Sequence, residues 1–194
     1  MKKGFTLLEL LIVIGILAIL ATVLIAVINP AELLRRARDT QRLSDLDALR
    51  SAISLFIVDM PSADTLMGDS GKVYSHISGG VGACMGRIAT TKPDRTTDGS
   101  GWIPINFNNM STKSPLAALP VDPSPATSGA SRYYLYLPNT SDVTFELTAN
   151  MESGYYKQGG SMDKESTDGG KITTIYETGT KFIIDNVANC YATP

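Results

Sequence analysis

The sequence predicts an α+β protein in which a long N-terminal helix packs on a small antiparallel sheet. Residues 10–28 carry no charge, so the start of the chain is apolar on every side of a helix. Between Leu33 and Ile57 apolar residues recur at helical spacing, with charged residues opposite. Strand-like runs rich in tyrosine, threonine and branched residues come in the last third of the chain. Helical segments followed by a run of strands indicate the α+β class.

The first element is an apolar helix over residues 5–28, in which Glu9 is the only charge. At about 1.5 Å of rise per residue this helix can cross a hydrocarbon core of roughly 30 Å. Lys2 and Lys3 favour a cytoplasmic N-terminus, but four arginines beyond the apolar run oppose that orientation. These are Arg35, Arg36, Arg38 and Arg42. They suit contacts with lipid headgroups, ion pairs between subunits or a solvated helix surface. Because they oppose Lys2 and Lys3, charge alone does not settle the topology.

Glu9 is the unusual residue of this helix. An ionised carboxylate inside a membrane costs about 2.5 to 3.5 kcal/mol, and such residues usually mark function. Its expected partner is an amine. The alternative is a glutamate that reaches the headgroups from one turn inside the membrane boundary.

The helix is expected to continue beyond the apolar run. Asn29 can cap and Pro30 is tolerated at a first helical position, so the pair predicts a kink or a new first turn. Pro61 disfavours helix at the residue before it and ends the segment. One helical face carries the apolar residues Leu33, Leu34, Ala37, Leu46, Leu49, Ala52, Ile53, Phe56 and Ile57.

The remaining residues predict one globular head. Residues 62–101 show little periodicity and are interpreted as a connecting region. Strands are predicted at 132–137, 143–149, 171–176 and possibly 180–184, with a turn at 138–142 that pairs the first two antiparallel. The predicted organisation is a leader at 1–4, a membrane or filament-core helix at 5–29, an amphipathic helix at 30–60 and a head at 61–194.

The N-terminal residues Lys2, Lys3 and Gly4 followed by Phe5-Thr6-Leu7-Leu8-Glu9 resemble the type IV pilin and pseudopilin family. The resemblance implies that a prepilin peptidase cuts after Gly4 and methylates the new amino terminus at Phe5. It also implies that the apolar helix is retained and that Glu9 pairs with the Phe5 amine of a neighbouring subunit. At about 4 Å and an effective dielectric near 20, that attraction is worth about 4 kcal/mol.

The function implied is that of a structural subunit, not an enzyme. The subunit would sit in the cytoplasmic membrane, contact lipid and an assembly platform, and then polymerise with identical copies into an extracellular filament. A major pseudopilin of a type II secretion system is one alternative. A single-span anchored protein that binds a ligand without polymerising is another. An ordinary signal peptide cut near Ala21 is disfavoured because the apolar run is too long.

Cys84 and Cys190 are the only cysteines. An exported head places them in an oxidising compartment, where a pairing would close a long loop. The pair resembles the C-terminal disulfide of pilins in placement only. Two separate thiols are the alternative.

Asp163, Glu165 and Asp168 form an acidic loop that ends in two glycines. Such a loop could give oxygen ligands to Ca²⁺, as a C-terminal loop does in major pseudopilins, although the spacing is not that of an EF-hand. A solvated charged loop is the preferred interpretation, and no other cofactor is expected.

Gly68-Asp69-Ser70-Gly71 is similar to the segment around a serine-protease nucleophile. The single histidine, His76, lies in a glycine-rich stretch only six residues further on, so a turn is the preferred interpretation.

The net charge gives no general argument for nucleic-acid binding, because 19 acidic residues exceed 17 basic ones. DNA remains an uncertain partner. If a fibre takes up DNA, the expected contacts are Arg87, Lys92, Arg95 and Lys113.

Overall fold

The computed structural model describes residues 4–77, 84–124, 132–185, 190 and 191. The chain divides into two units, Met1–Arg35 and Arg36–Pro194. The first unit contains helix α1, Leu7–Ile28, and the start of helix α2, Pro30–Asp59. The second unit contains the rest of α2 and the head. The fold class is α+β and pilin-like, as the sequence predicts.

Asn29 separates the two helices. Its backbone is left-handed, with φ 46° and ψ 77°, and Pro30 then occupies the first position of α2. The Oδ1 atom of Asn29 accepts a hydrogen bond from the backbone N–H of Glu32 at 3.3 Å. The structure thus confirms that Asn29 caps and that Pro30 starts a new first turn.

The buried face of α2 follows the predicted apolar face from Leu46 onwards. Leu46, Leu49, Ile53 and Phe56 are at most 1% exposed. The buried face begins at Asp39 and Arg42, at spacings of three and four before Leu46, whereas Leu33 and Leu34 of the predicted apolar face are 57% and 61% exposed. Both of these charged side chains are fully buried.

The head contains a five-stranded sheet in the order β2-β1-β3-β4-β5. The strands are β1 Lys72–Ser75, β2 Ile88–Thr91, β3 Leu135–Asn139, β4 Thr144–Ala149 and β5 Tyr176–Gly179. A short helix α3, Ala63–Leu66, precedes β1. The sheet is mostly antiparallel, as the sequence predicts, and at one edge β1 and β2 pair in parallel. These two strands lie in the region that the sequence predicted to be a connection.

The hairpin of β3 and β4 confirms the predicted antiparallel pair, but β3 is shifted towards its C-terminal end. Pro138 lies within β3 and pairs with Phe145 instead of starting the turn. Neighbouring strand β1 pairs with β3 only at Leu135 and Tyr136, so at Pro138 the ladder on that side has ended. A residue without an N–H is tolerated there because no partner strand needs the donor.

The strands predicted at 171–176 and 180–184 are wrong for most of their length. The N–H of Ile172 donates to the Glu177 carboxylate at 2.7 Å, and the N–H groups of Ile183 and Ile184 donate to the Glu146 carboxylate. These side chains take the donors that a strand ladder would use. Of the two predicted regions, only Tyr176 belongs to a strand, β5.

Two hydrophobic clusters lie on opposite faces of the sheet, because successive strand residues point to opposite sides. Tyr134 and Tyr136 pack with α2 in one cluster. Leu135 and Leu137 belong to the other, together with Ile184 and both cysteines.

Candidate processing and assembly site

The backbone between Gly4 and Phe5 is exposed and precedes the first helix. Gly4 is exposed, and a Cβ added to it would meet no atom within 4 Å. The Phe5 side chain is 85% exposed. The Gly4–Phe5 peptide bond therefore lies outside regular structure, where an enzyme can reach it.

Thr6 and Glu9 cap the start of α1 reciprocally. The Thr6 hydroxyl accepts the N–H of Glu9 at 3.2 Å, and the Glu9 carboxylate accepts both the N–H and the hydroxyl of Thr6 at 2.9 Å. This arrangement satisfies donors that a helix start leaves open. Sequence reasoning missed this partner of Glu9, although a threonine three residues before a glutamate is the signal for it.

Helix α1 exposes its apolar side chains wherever the structure describes them. Fifteen leucine, isoleucine and valine side chains, from Leu7 to Ile28, are between 47% and 88% exposed. Among the residues described, one helix is long and apolar enough to cross a membrane, Leu7–Ile25, with a mean hydropathy of 2.9. A surface of this kind requires lipid or other apolar helices around it.

A family model matches this same part of the chain. Residues 1–25 match the prokaryotic N-terminal methylation motif. The chain carries a prepilin-type signature. The match ends before Asn29, so it covers Gly4, Phe5 and most of α1 and leaves the head uncovered. No curated protein and no solved structure matches the chain.

The prepilin-type signature is typical of structural proteins that a prepilin peptidase processes and that polymerise. It agrees with the exposed Gly4–Phe5 bond and with the apolar surface of α1. It does not distinguish among kinds of filament, since the signature is common to type IV pilins and pseudopilins.

Cys84 and Cys190 form a disulfide, although they lie 106 positions apart in the sequence. Both residues are fully buried in the cluster on the sheet face away from α2. Tyr133 donates from its hydroxyl to the carbonyl of Cys190 at 2.7 Å, and its ring stacks on that of Tyr191. Residues 190 and 191 are thus fixed against the sheet by covalent, polar and aromatic contacts.

The three carboxylates proposed for Ca²⁺ each accept hydrogen bonds from nearby backbone. Asp163 accepts the N–H groups of Gly159 and Ser166, and hydrogen bonds from Ser166 lower its pKa. Burial raises the pKa of Glu165 to about 6. Asp168 accepts the N–H of Glu177 at 2.6 Å, and burial raises its pKa. Within the described ranges no group of three or more histidine, cysteine, aspartate or glutamate side chains is arranged to hold a metal ion.

Ser70 and His76 serve different parts of the head. The segment around Ser70 forms a turn in which Asp69 accepts the N–H of Gly71 at 2.8 Å. His76 packs edge-on against Trp102 and Tyr134, and burial lowers its pKa to about 4. Its Nε2 atom accepts the N–H of Asp122. The structure assigns His76 to packing, with no contact to Ser70 among those described.

The four basic residues proposed for DNA each donate to a backbone carbonyl of the head. Arg87 donates to Pro138 at 2.9 Å and Arg95 to Leu119 at 2.8 Å. Lys92 donates to the carbonyl of Ser100 and Lys113 to that of Asn108, both at 3.4 Å. A test of DNA binding by neutralising all four therefore needs a control for folding.

A buried ion-pair network around Arg42 is the main feature of the head that sequence reasoning missed. The Arg42 guanidinium contacts Asp39 at 2.7 Å, Asp122 at 2.7 Å and Glu152 at 2.6 Å. Burial opposes the charge, but these carboxylates raise the pKa of Arg42 above its usual range. The prediction that Arg42 lies near headgroups, between subunits or in solvent is wrong. The position of Arg42 on the helical face that is buried in α2 was the sequence signal for its burial.

Glu152 is the second centre of this network. Arg38 and Arg42 both donate to its carboxylate at 2.6 Å. Burial disfavours the ionised carboxylate, but hydrogen bonds from Arg38, Ser124 and Arg42 outweigh this and hold the pKa of Glu152 well below its usual range. The network thus joins α2 to residues 122–124 and 152–153.

Proposed function

We propose that this chain is a prepilin that is cut after Gly4 and assembles through α1 into a type IV pilus or a pilus-like filament. The observation that carries the proposal is the order of features at the N-terminus. An exposed Gly4–Phe5 bond is followed at once by a capped helix whose apolar surface is exposed on every side. The N-terminal methylation motif over residues 1–25 supports the same order of events.

The exposed surface of α1 supports assembly as well as membrane insertion. Leaving a leucine or isoleucine side chain in water costs about 1.5 to 3 kcal/mol, so more than a dozen of them cost on the order of 20 to 40 kcal/mol. Lipid removes this cost before assembly. After extraction from the membrane, a bundle of identical helices can replace the lipid. The same residues therefore serve as anchor and as filament core.

Glu9 gives the proposed filament its register. In the isolated chain its carboxylate is bound only to Thr6 of its own helix among the contacts described. Cleavage creates an amino group on Phe5, and the charge of Glu9 attracts the amine of a neighbouring subunit. The rest of the helix surface is apolar and does not fix the position of the subunit along the filament axis, so this ion pair sets that position.

The head in this proposal lies outside the cell and has a structural role. Its disulfide suits an oxidising compartment. The network around Arg42 and the disulfide both join distant parts of the chain, as a subunit exposed on a fibre requires. No catalytic role is proposed.

Two Glu9 variants separate its charge from its capping role. Glu9→Gln keeps an oxygen that can accept the Thr6 N–H but removes the charge, whereas Glu9→Leu removes both. We expect both variants to reach the membrane at normal levels and to be lost from sheared surface fibres by tenfold or more. Glu32→Gln, a matched change early in α2, should leave fibre yield unchanged. Normal fibre incorporation of Glu9→Leu would instead support a single-span anchored protein that does not polymerise.

The kind of filament is tested by the composition of purified fibres. If this chain is the dominant subunit of long surface fibres, it is a major pilin. If its deletion abolishes protein secretion without removing such fibres, the chain acts as a pseudopilin of a secretion system.

A further inference from the structure

Two buried carboxylic acids meet on the face of the sheet opposite α2. Glu146 on β4 is fully buried and Glu177 on β5 is 1% exposed. In the register of these strands Glu146 lies opposite Gly179 and Glu177 opposite Thr148. The two glutamates are therefore diagonal neighbours on one face, close enough for their side chains to meet.

Each glutamate uses one oxygen to bind backbone, and its other oxygen is buried without a donor among the described residues. The Oε2 atom of Glu146 accepts the N–H of Ile184 at 2.8 Å and that of Ile183. The Oε2 atom of Glu177 accepts the N–H of Ile172 at 2.7 Å. Neither Oε1 atom has a hydrogen-bond partner among the described residues, although both atoms are buried. Two ionised carboxylates have only acceptors, so a hydrogen bond between these two oxygens requires a proton on one of them.

We propose that Glu146 and Glu177 share one proton and act as a pH-sensitive latch on residues 180–185. With the proton present, the pair carries a single negative charge, and Glu146 holds two consecutive amides of that segment. Without it, two negative charges face each other in a buried site. The segment must then open to let water reach them.

The charged and titratable groups around the pair do not neutralise it. Arg87 is half-buried and donates to the Pro138 carbonyl. Lys171 is exposed and pairs with Asp185. Asp168 adds negative charge next to Glu177, and Tyr191 shares its hydroxyl with Thr148. Burial therefore dominates and raises the pKa of Glu146 to about 8, while burial also raises that of Glu177.

The latched segment packs on the same face of the sheet as the pair, away from α2. Ile184 is fully buried in the cluster that contains the disulfide. The latch thus links pH to the order of residues 180–185.

Hydrogen exchange of the amides of Ile183 and Ile184 tests the latch. The full chain is used in detergent micelles at constant ionic strength, and rates are converted to protection factors that report the opening equilibrium. At pH values between the pKa of the open pair and that of the closed pair, opening releases one proton. We therefore expect protection at both amides to fall about tenfold per pH unit between roughly pH 5.5 and 8.

Two variants decide whether the pair causes this slope. Glu146→Gln supplies an amide donor to Glu177 and still has an oxygen for the two amides, so protection should lose its pH dependence. The control is Glu165→Gln, which removes a buried carboxyl that contacts neither the Ile183 nor the Ile184 amide. In this variant protection should keep its dependence on pH above pH 6. Protection independent of pH in the unmodified chain would overturn the proposal. A slope that persists in Glu146→Gln would overturn it too, and Glu177→Gln gives the same test if Glu146→Gln does not fold.

Discussion

Arg42 and Asp122 form a doubly hydrogen-bonded ion pair inside the head, 80 positions apart in the sequence. The Arg42 Nε atom lies 2.7 Å from Asp122 Oδ2, and Nη2 lies 2.8 Å from Oδ1. The arginine is fully buried and the aspartate is 7% exposed. Because α2 supplies one partner and residues 122–124 contain the other, the pair fixes the helix to that segment of the head.

Arg42→Leu should destabilise the head strongly. The substitution leaves three carboxylates, on Asp39, Asp122 and Glu152, buried without their shared cation. Removing one partner of a buried ion pair costs about 3 to 5 kcal/mol. Chemical denaturation followed by tryptophan fluorescence measures this, since Trp102 is buried in the head.

Arg35→Leu is the matched control for this change. Arg35 lies on the same helix, is 52% exposed in its side chain and contacts Glu32 at 3.8 Å. An exposed pair contributes about 0 to 1 kcal/mol. Equal losses of stability in the two variants would contradict the role assigned to Arg42.

Acid should weaken the head through Glu152. Its pKa is held below the ordinary value of about 4.5, so the folded head binds fewer protons there than the unfolded chain does. The stability is fully present above about pH 4.5 and is lost as the pH falls below it, at up to about 1.4 kcal/mol per pH unit for one proton. Denaturation curves at pH 5, 4 and 3 measure the slope. Glu152→Gln should be less stable at pH 5 but have a shallower slope, and an unchanged slope would assign the acid sensitivity elsewhere.

Thr6→Ala should fray the first turn of α1. The variant loses the hydroxyl that accepts the Glu9 N–H and donates to its carboxylate. Loss of an N-terminal cap costs about 0.5 to 2 kcal/mol, which corresponds to roughly 2- to 30-fold less protection of the Glu9 amide in hydrogen exchange. Thr22→Ala is the control, because the Thr22 hydroxyl donates to the Ile19 carbonyl inside the same helix. Thr6→Ser should restore protection, and a loss of equal size in Thr22→Ala would argue against a capping effect.

Removing the disulfide should destabilise the head without abolishing its fold. Replacing both Cys84 and Cys190 by alanine frees a loop closed over 106 positions, for which chain entropy gives about 4 to 5 kcal/mol and measured bridges about 2 to 5 kcal/mol. Reductant added to the unmodified chain should lower its midpoint of denaturation by as much as the double substitution does. Addition of reductant should have no effect on the double variant. A reductant-sensitive double variant would show that the effect arises elsewhere.

Features that depend on local sequence were predictable. The apolar run defines α1, and Asn29 before Pro30 marks the start of α2 because capping and proline geometry are local properties. The hairpin of β3 and β4 was predictable from two long runs of strand-forming residues around a polar turn. In contrast, β1 and β2 have four residues each, which is too short for alternation to show.

Features set by buried charge were not predicted. Arg42 was expected at lipid headgroups, between subunits or in solvent, because an arginine in an amphipathic helix usually lies outside the core. Its partners Asp122 and Glu152 are distant in sequence. The regions of Ile172 and Ile183 resemble strands, but glutamate side chains accept their amide protons. Such pairings depend on the tertiary fold and leave no local pattern.

In the function proposed above, the chain is processed between Gly4 and Phe5 and retains α1 for assembly. Mass spectrometry of the N-terminus, on protein from cells with and without the prepilin peptidase, tests this most directly. We expect a mature chain that begins at N-methylated Phe5 and that disappears when the peptidase is absent. An intact Met1 in both strains, or cleavage near Ala21, would contradict it.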